Sequence, residues 1–296
     1  MEAIFDRHLV DLQTPKQGTE NEEADFEKFR SRFSLFVGEG FAASLTDNPL
    51  GRISYTAPET VEFCELTIDP AAVVYHLNTF HRKETATAQS GGGDLRNEQD
   101  LDVFLQHAAD QGLQRLVVVS GDGSDRLPRL QPEDVGCDPK TVQTVTSIQL
   151  LGYIHRTYPG RFLTGVAFNQ YEPIEHEIEK LKHKLDAGAS YVITQPCIFG
   201  SGSSASRQAL DAMMELARER RVQPILGVWI SKKYAHLLPT CVGLDFDVSD
   251  FDPWENMDVA LKDYPGIFHY YSMVFQPETI AKIKERLNRS GSQGSA

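Results

Sequence analysis

The sequence predicts a single (β/α)8 barrel, and three observations lead to that fold class. Short apolar runs alternate with polar, amphipathic stretches eight times along 296 residues. Several runs, such as LVVVS at 116–120 and YVIT at 191–194, are almost continuous in aliphatic and aromatic residues, as in parallel strands buried on both faces. Eight such units favour a closed barrel over an open doubly wound sheet, which the same alternation allows.

The elements follow one another in order along the chain. Amphipathic spacing of three and four predicts helices at 22–33, 100–112, 141–158, 175–188, 206–221 and 277–288. Gly112 and Gly188 stand where a helix end favours positive φ. The predicted strands are 9–13, 41–46, 71–77, 116–120, 162–168, 191–195, 224–230 and 267–275.

Three segments interrupt this pattern. Residues 83–97 contain QSGGGD and are predicted to form a loop insertion after the third strand, and residues 244–254 an acidic loop. The tail at 290–296 is predicted to be disordered, so that the barrel comprises residues 1–289.

Composition excludes several classes of protein. A net charge of -13 argues against a nucleic-acid partner, because phosphate binding needs a basic face. No secretory leader or apolar run long enough to cross a membrane is recognised. The four cysteines are widely separated, which predicts neither a disulfide framework nor a metal site. We therefore expect a cytoplasmic protein that acts on a small molecule, with homo-oligomerisation possible.

Barrel enzymes place their sites at the C-terminal ends of the strands, so the residues that end each run are the candidates. They form a polar and aromatic ring with carboxylates, which suits a flat heteroaromatic ligand and proton chemistry. No strand ends in a lysine, which disfavours Schiff-base aldolases, and no paired His/Asp set indicates metal-dependent hydrolysis. The candidates are Asp11 with Gln13, Thr46 with Asp47, His76, Ser120 with Asp122, Phe168 with Gln170, Gln195, Trp229, and Tyr270 with Tyr271.

The order of these groups resembles the methylenetetrahydrofolate reductase family. The most specific segment is LKHKLDAGASYVITQP at 181–196, and the resemblance runs through nearly the whole barrel. The other segments are LVDLQTP at 9–15, SLTDNPLGR at 44–52, VVYHLNT at 73–79, RLVVVSGD at 115–122, ILGVWISKKY at 225–234 and IFHYYS at 267–272.

The resemblance implies a barrel that binds FAD, takes a hydride from NADH or NADPH, and interconverts 5,10-methylenetetrahydrofolate and 5-methyltetrahydrofolate. It implies Asp11 as the acid and Asp122 as a second catalytic carboxylate near the rings. The residues implied to contact the folate are Gln195, Tyr234, Tyr271 and Phe275. The positions implied to face the cofactor are Thr46, His76, Ser120, Gly121, Phe168, Lys180, His183 and Lys184.

The chain departs from the family pattern at several of these positions. Asp11 stands where the family usually has glutamate, and Glu172 where a histidine would help to hold the cofactor. These changes leave two alternatives open: a flavin-independent folate-binding barrel in a methyl-transfer or demethylation pathway, and a non-catalytic relative. Arginines of the family are replaced by Ser120, His183 and Phe275, and a tyrosine by Phe168.

Overall fold

The fold is that of a computed structural model, which describes residues 4–46, 54–80, 101–121, 129–199, 204–242 and 248–293. Eight parallel strands close into one barrel in sequence order, with the first strand pairing with the last. This confirms the predicted (β/α)8 barrel. The strands are β1 (Leu9–Gln13), β2 (Ala42–Thr46), β3 (Val73–Leu77), β4 (Arg115–Val118), β5 (Leu163–Phe168), β6 (Tyr191–Pro196), β7 (Gln223–Trp229) and β8 (Phe268–Ser272).

Helices connect the strands on the outside of the barrel. In the described part of the chain they are α1 (Glu22–Gly38), α2 (Ala57–Phe63), α3 (Leu101–Asp110), α4 (Ser147–Thr157), α5 (Ile174–Asp186), α6 (Ser204–Arg220), α7 (Leu238–Val242), α8 (Pro253–Asp263) and α9 (Pro277–Gln293). No helix of the described ranges is long and apolar enough to cross a membrane.

Alternation along each strand divides the apolar side chains between two cores, because successive residues point to opposite faces of a sheet. One set, such as Val10 and Tyr271, packs outward against the helices. The other fills the barrel, where Leu9 and Ile225 belong to a separate buried cluster. This inward set ends in polar side chains at the C-terminal ends of the strands, where the site forms.

Several sequence expectations can be compared with these elements. Gly112 and Gly188 have φ of 75° and 109°, as expected for residues that end helices. Helix α9 continues to Gln293, into the segment for which the sequence predicts disorder. Helices α2, α7 and α8 were not predicted from the apolar pattern. The insertion at 83–97 lies outside the described residues.

Candidate active site

A cavity of about 790 Å³ opens at the C-terminal ends of the strands. All eight strands contribute to its wall, together with the beginning of α4 and one side of α5. This is the end of the barrel at which enzymes of this fold carry their sites. The sequence-predicted residues that line it are Asp11, Thr46, His76, Ser120, Gly121, Lys180, Lys184, Gln195, Trp229 and Tyr270.

Asp11 is the carboxylate at the centre of this wall. Its Oδ1 accepts hydrogen bonds from the Thr46 hydroxyl at 3.1 Å and the Tyr270 hydroxyl at 2.9 Å. Burial raises the pKa of Asp11 from 3.8 to about 6, although the two hydroxyls act in the opposite direction. The carboxyl can therefore carry a proton near neutral pH, as a general acid must.

Tyr270 connects Asp11 to a second polar pair. Burial, and then the nearby Asp11, raises the pKa of Tyr270 well above its ordinary value, so its hydroxyl remains a donor. Ser44 also hydrogen-bonds the tyrosine hydroxyl, and its Oγ lies 3.0 Å from His76 Nε2. The His76 and Tyr270 ring centroids are 6.0 Å apart. The result is a continuous polar wall from β3 across β2 and β8 to β1.

The two lysines expected to hold a cofactor are joined by a buried carboxylate. Glu177 Oε2 lies 3.2 Å from Lys180 Nζ, and Glu177 Oε1 lies 3.7 Å from Lys184 Nζ. Lys184 also donates to the Ala167 carbonyl at 2.7 Å. Burial lowers the pKa of Lys184, and Glu177 opposes that effect. Much of the positive charge expected for an anionic cofactor is therefore already paired.

The segment after β4 approaches the neighbouring loop closely. The Ser120 carbonyl accepts a hydrogen bond from the Thr79 hydroxyl at 2.7 Å. Gly121 has φ of 77°, and a Cβ there would lie 2.7 Å from Asn78 Cβ. A residue with a side chain would displace this turn. The next residue, Asp122, lies outside the described residues.

Gln195 reaches the cavity from the end of β6, and its half-buried side chain is exposed to this space. Its carbonyl accepts from Gln170 Nε2 at 2.9 Å, which fixes the chain where β6 leaves the barrel.

Three expected contacts are placed elsewhere by the structure. Phe168 and Tyr271 are fully buried in the core between strands and helices, because both occupy outward positions of their strands. His183 is exposed on α5 and its Nε2 lies 3.5 Å from Glu179. The expectation that these three side chains contact a ligand in the cavity is therefore wrong.

Tyr234 and Phe275 line a second cavity of about 780 Å³ next to the first. Their ring centroids are 5.5 Å apart in an edge-to-face arrangement. Met273 lines both cavities, so the two spaces meet at the end of β8. Two of the four residues expected to contact the folate thus lie in this neighbouring space.

The site also contains residues that the sequence prediction did not assign a role. Tyr270 is the most consequential: it was a strand-end candidate together with Tyr271, and alternation along β8 from the inward-facing Phe268 favours it over Tyr271 for a role in the site. Within the described ranges, no cluster of three or more His, Cys, Asp or Glu side chains is arranged to hold a metal ion. The other unassigned lining residues include Asn78, Asn169, Glu177 and Trp229.

Solved structures share this architecture. A Clostridium thermocellum protein that binds two copies of 5-methyl-5,6,7,8-tetrahydrofolic acid aligns with a TM-score of 0.57 and 12% identity, over 95% of this chain and 96% of that chain. The 7,8-dihydropteroate synthase of Vibrio fischeri aligns with a TM-score of 0.50 and 10% identity, over 99% and 95% of the two chains. At these identities the likeness concerns the fold alone.

Sequence comparison finds a family match for part of the chain. No curated protein matches the sequence significantly. The family model described as methylenetetrahydrofolate reductase matches residues 93–201, which include Gly121, Lys184 and Gln195 of the site. The match covers a little over a third of the chain and includes the segment at 181–196 on which the resemblance rested. Over these residues the chain is similar to the methylenetetrahydrofolate reductase family.

Proposed function

We propose that this protein binds a reduced folate in the strand-end cavity and interconverts 5,10-methylenetetrahydrofolate and 5-methyltetrahydrofolate. The observation that carries the proposal is the Asp11 carboxyl, which faces the cavity with a pKa of about 6. The family match at residues 93–201 supports it. The structural neighbour that binds 5-methyltetrahydrofolate adds support for the ligand class.

In the reducing direction, Asp11 gives its proton to a nitrogen of the methylene bridge. The carbon–nitrogen bond breaks and the remaining nitrogen forms an electrophilic iminium. A hydride from a reduced nicotinamide then adds to the methylene carbon, which becomes the methyl group, and the nicotinamide is oxidised. The resulting Asp11 carboxylate is stabilised by the Thr46 and Tyr270 hydroxyls until it takes up a proton from solvent.

The walls of the cavity suit a flat ligand. The rings of His76 and Tyr270 and the indole of Trp229 border it, and Gln195 offers an amide to the polar edge of a heterocycle. Hydride transfer needs two flat rings in close contact, which a cavity of about 790 Å³ accommodates.

FAD, which the family resemblance implies, does not fit the charges of the described residues. Its diphosphate requires local positive charge in a chain with a net charge of -13. The described cavity offers Lys180 and Lys184, but the carboxylates of Glu172 and Glu177 line the same wall. We therefore assign no step of the reaction to a flavin.

The same carboxylates favour a second candidate function. A folate-binding barrel without flavin could remove methyl groups from 5-methyltetrahydrofolate, or pass them on, in a demethylation or methyl-transfer pathway. In such an enzyme the cavity holds the folate alone, and Glu172 and Glu177 repel no cofactor phosphate.

Replacing Asp11 with asparagine tests the proposed reaction. We expect Asp11→Asn to bind 5-methyltetrahydrofolate with nearly wild-type affinity and to lose at least about a hundredfold in turnover, since a general acid contributes that much or more. Calorimetric titration and stopped-flow turnover with NADH and NADPH measure the two quantities. The matched control is Asp110→Asn on α3, an exposed carboxylate where the helix ends, at the opposite end of the barrel from the cavity.

Wild-type turnover in Asp11→Asn would contradict the assignment of the acid, and absence of folate binding in the unmodified protein would contradict the ligand class. A visible absorption spectrum with added FAD decides the role of flavin. Tight uptake of flavin that is bleached by NADH would restore the flavin-dependent route. Folate binding without flavin uptake, and without reduction by nicotinamide, would favour the second candidate.

A further inference from the structure

The polar wall of the strand-end cavity leads from Asp11 to a histidine through two hydroxyl groups. The Tyr270 hydroxyl donates to Asp11 Oδ1 at 2.9 Å, and Ser44 hydrogen-bonds that tyrosine hydroxyl. Ser44 Oγ in turn lies 3.0 Å from His76 Nε2. Three hydrogen bonds therefore connect the carboxyl on β1 with the imidazole on β3, by way of β8 and β2.

The direction of the middle bond follows from its effect on Tyr270. Burial raises the pKa of Tyr270, and the bond from Ser44 opposes that rise, as a donor to the phenol oxygen does because it stabilises the tyrosinate. A serine hydroxyl has one hydrogen, so Ser44 Oγ accepts from His76. The hydrogen between them then belongs to His76 Nε2. All three bonds thus point from the histidine toward the carboxyl.

This chain of bonds passes through the interior of the barrel. Asp11, His76 and Tyr270 line the cavity. Ser44 is fully buried and lies behind that lining. In the ladder between β8 and β1, Tyr270 pairs with Leu9, which is one inward position deeper in the barrel than Asp11. A ligand on the cavity wall would therefore leave the bonds through Ser44 intact.

A carboxyl that protonates a bound ligand is covered by that ligand. In the proposed function Asp11 faces the folate nitrogen that it protonates, so the folate separates the new carboxylate from the solvent in the cavity. On the protein side the carboxylate accepts from the Thr46 and Tyr270 hydroxyls. The bond from Tyr270 continues to an imidazole, the side chain that exchanges protons most readily near neutral pH.

We propose that His76, Ser44 and Tyr270 form a relay that returns a proton to the catalytic carboxylate while the product is still bound. This inference rests on the proposed function, which supplies the step that removes the proton from Asp11. The relay assigns a role to His76 and Ser44 that is separate from contact with the reacting atoms.

Each group of the relay gives one hydrogen and receives one. The Tyr270 hydroxyl passes its hydrogen to the Asp11 carboxylate and takes the hydrogen of Ser44. Ser44 takes the hydrogen from His76 Nε2, and the imidazole takes up a solvent proton at its other nitrogen. One solvent proton is consumed for each folate reduced. The hydroxyl hydrogens and the ring protons return to their first positions before the next cycle.

The moment at which the proton is taken up tests this relay. Reduction of 5,10-methylenetetrahydrofolate by NADH consumes one proton, which a pH-indicator dye reports in weakly buffered stopped-flow experiments. The absorbance of NADH reports hydride transfer in the same experiment. In single turnovers just below pH 6, where more than half of the Asp11 carboxyls start protonated, we expect the wild-type protein to take up its proton at the rate of hydride transfer.

Two variants interrupt the relay and leave both hydrogen bonds of Asp11 in place. In Ser44→Ala we expect proton uptake to lag hydride transfer by at least about tenfold, until the product leaves, because a missing proton donor slows a transfer step by that much or more. His76→Gln keeps an amide that can donate to Ser44 but that takes up no proton, and it should show the same lag. A role of His76 in holding the wall alone would produce no lag in this variant.

Ser272→Ala is the matched control. Ser272 is the other serine that hydrogen-bonds Tyr270, and its replacement leaves the contact between Ser44 and His76 in place. Proton uptake should coincide with hydride transfer in this variant, as in the wild type. An equal lag in Ser272→Ala and Ser44→Ala would overturn the relay, because loss of any hydrogen bond to Tyr270 would then explain it.

The remaining outcomes separate the relay from the proposed function. Simultaneous uptake in Ser44→Ala or in His76→Gln would overturn the relay and leave the proposed function standing. A lag in the wild-type protein would do the same, since Asp11 would then regain its proton after the product leaves. Absence of hydride transfer in the wild-type protein would instead overturn the proposed function, and the relay with it.

Discussion

Asp11 shows how a single residue sets the pH range of the proposed reaction. Burial raises its pKa to about 6, and hydrogen bonds from Tyr270 and Thr46 limit that rise. The reducing direction needs the protonated carboxyl, so kcat/KM is expected to fall as pH increases through about 6. Removing either hydrogen bond destabilises the carboxylate, which moves this limb to higher pH.

We predict that Tyr270→Phe shifts the basic limb of the kcat/KM profile to higher pH and lowers the maximum. The phenyl ring keeps the flat wall but removes the hydroxyl that donates to Asp11. Tyr271→Phe is the matched control, because it makes the same change one residue away on the face that packs in the core. A limb that moves equally in both variants, or in neither, would show that Tyr270 does not act on Asp11.

These two tyrosines also show what the sequence can predict at the scale of the residue. Motif order placed Asp11, Thr46 and His76 at strand ends, and the structure brings them to one cavity. Motif order could not decide which of two adjacent strand residues points into the cavity. Tyr271 was chosen although alternation from Phe268 points Tyr270 inward, and Phe168 likewise faces the helices. A one-residue error in strand register reverses the direction of a side chain.

At the scale of the element, strands β5 and β6 can pack side by side because a glycine on β5 lies next to a large aromatic ring on β6. Gly165 faces the barrel interior beside Tyr191, whose hydroxyl donates to the Leu116 carbonyl at 2.5 Å. A Cβ on Gly165 would lie 2.0 Å from the Tyr191 ring, inside the van der Waals limit. The absence of a side chain at this position of β5 allows the barrel to close around the tyrosine.

We predict that Gly165→Ala lowers the free energy of unfolding by about 2–3 kcal/mol, as overpacked cores do. Gly38→Ala is the control, since no atom lies within 4 Å of the added methyl group at the end of α1. Helix propensity predicts a small stabilisation there, up to about 1 kcal/mol. Urea denaturation followed by circular dichroism measures both, and an unchanged midpoint for Gly165→Ala would show that Tyr191 can move aside.

Two of the helices that the sequence missed have their clearest signal at the N-terminal cap and not in an apolar face. Helix α2 has seven residues, and its signal is a capping box between Thr56 and Glu59. Helix α8 begins after Asp252, whose side chain accepts from the Trp254 and Glu255 amides. Both carry a proline near the first position, which is typical of a helix start. Apolar periodicity alone cannot detect helices of this kind.

At the scale of the whole molecule, the site depends on closure of the barrel. Asp11 and Tyr270 come from opposite ends of the chain, and the pairing of β1 with β8 brings them within hydrogen-bond distance. The family match at residues 93–201 includes neither of them. Their contact could therefore be expected from the predicted fold, whereas its geometry and the pKa of Asp11 required the structure.

The same β1–β8 seam contains a half-buried histidine, His8, and a fully buried one, His269, at the opposite end of the barrel. His8 Nδ1 accepts the backbone N–H of His269 at 2.9 Å, and His269 Nδ1 lies 3.0 Å from the Tyr271 hydroxyl. His269 Nε2 is buried without a hydrogen-bond partner among the described residues. Burial lowers the pKa of His8 from 6.5 to about 4 and that of His269 to about 3.

These pKa values predict a loss of stability in mild acid. Below pH 6.5 the unfolded chain binds protons at both histidines that the folded protein does not, so the free energy of unfolding falls until the folded pKa values are reached. Asp11 has the opposite effect on the free energy of unfolding between pH 6 and 3.8. In this range its carboxyl keeps a proton in the folded protein and releases it in the unfolded chain. Two histidines outweigh one carboxyl, and we expect a net loss of about 2 kcal/mol between pH 7 and pH 4.5.

His8→Asn isolates this effect, because its amide oxygen can still accept the His269 N–H but does not titrate. Its loss of stability between the two pH values should be at least about 1 kcal/mol smaller than in the wild type. His176→Asn, at an exposed position of α5, should leave the wild-type slope unchanged. Urea titrations at both pH values measure the difference. If His8→Asn lost as much stability in acid as the wild type, the seam would not hold a neutral histidine at that position, and the acid sensitivity would have to come from carboxylates elsewhere in the barrel.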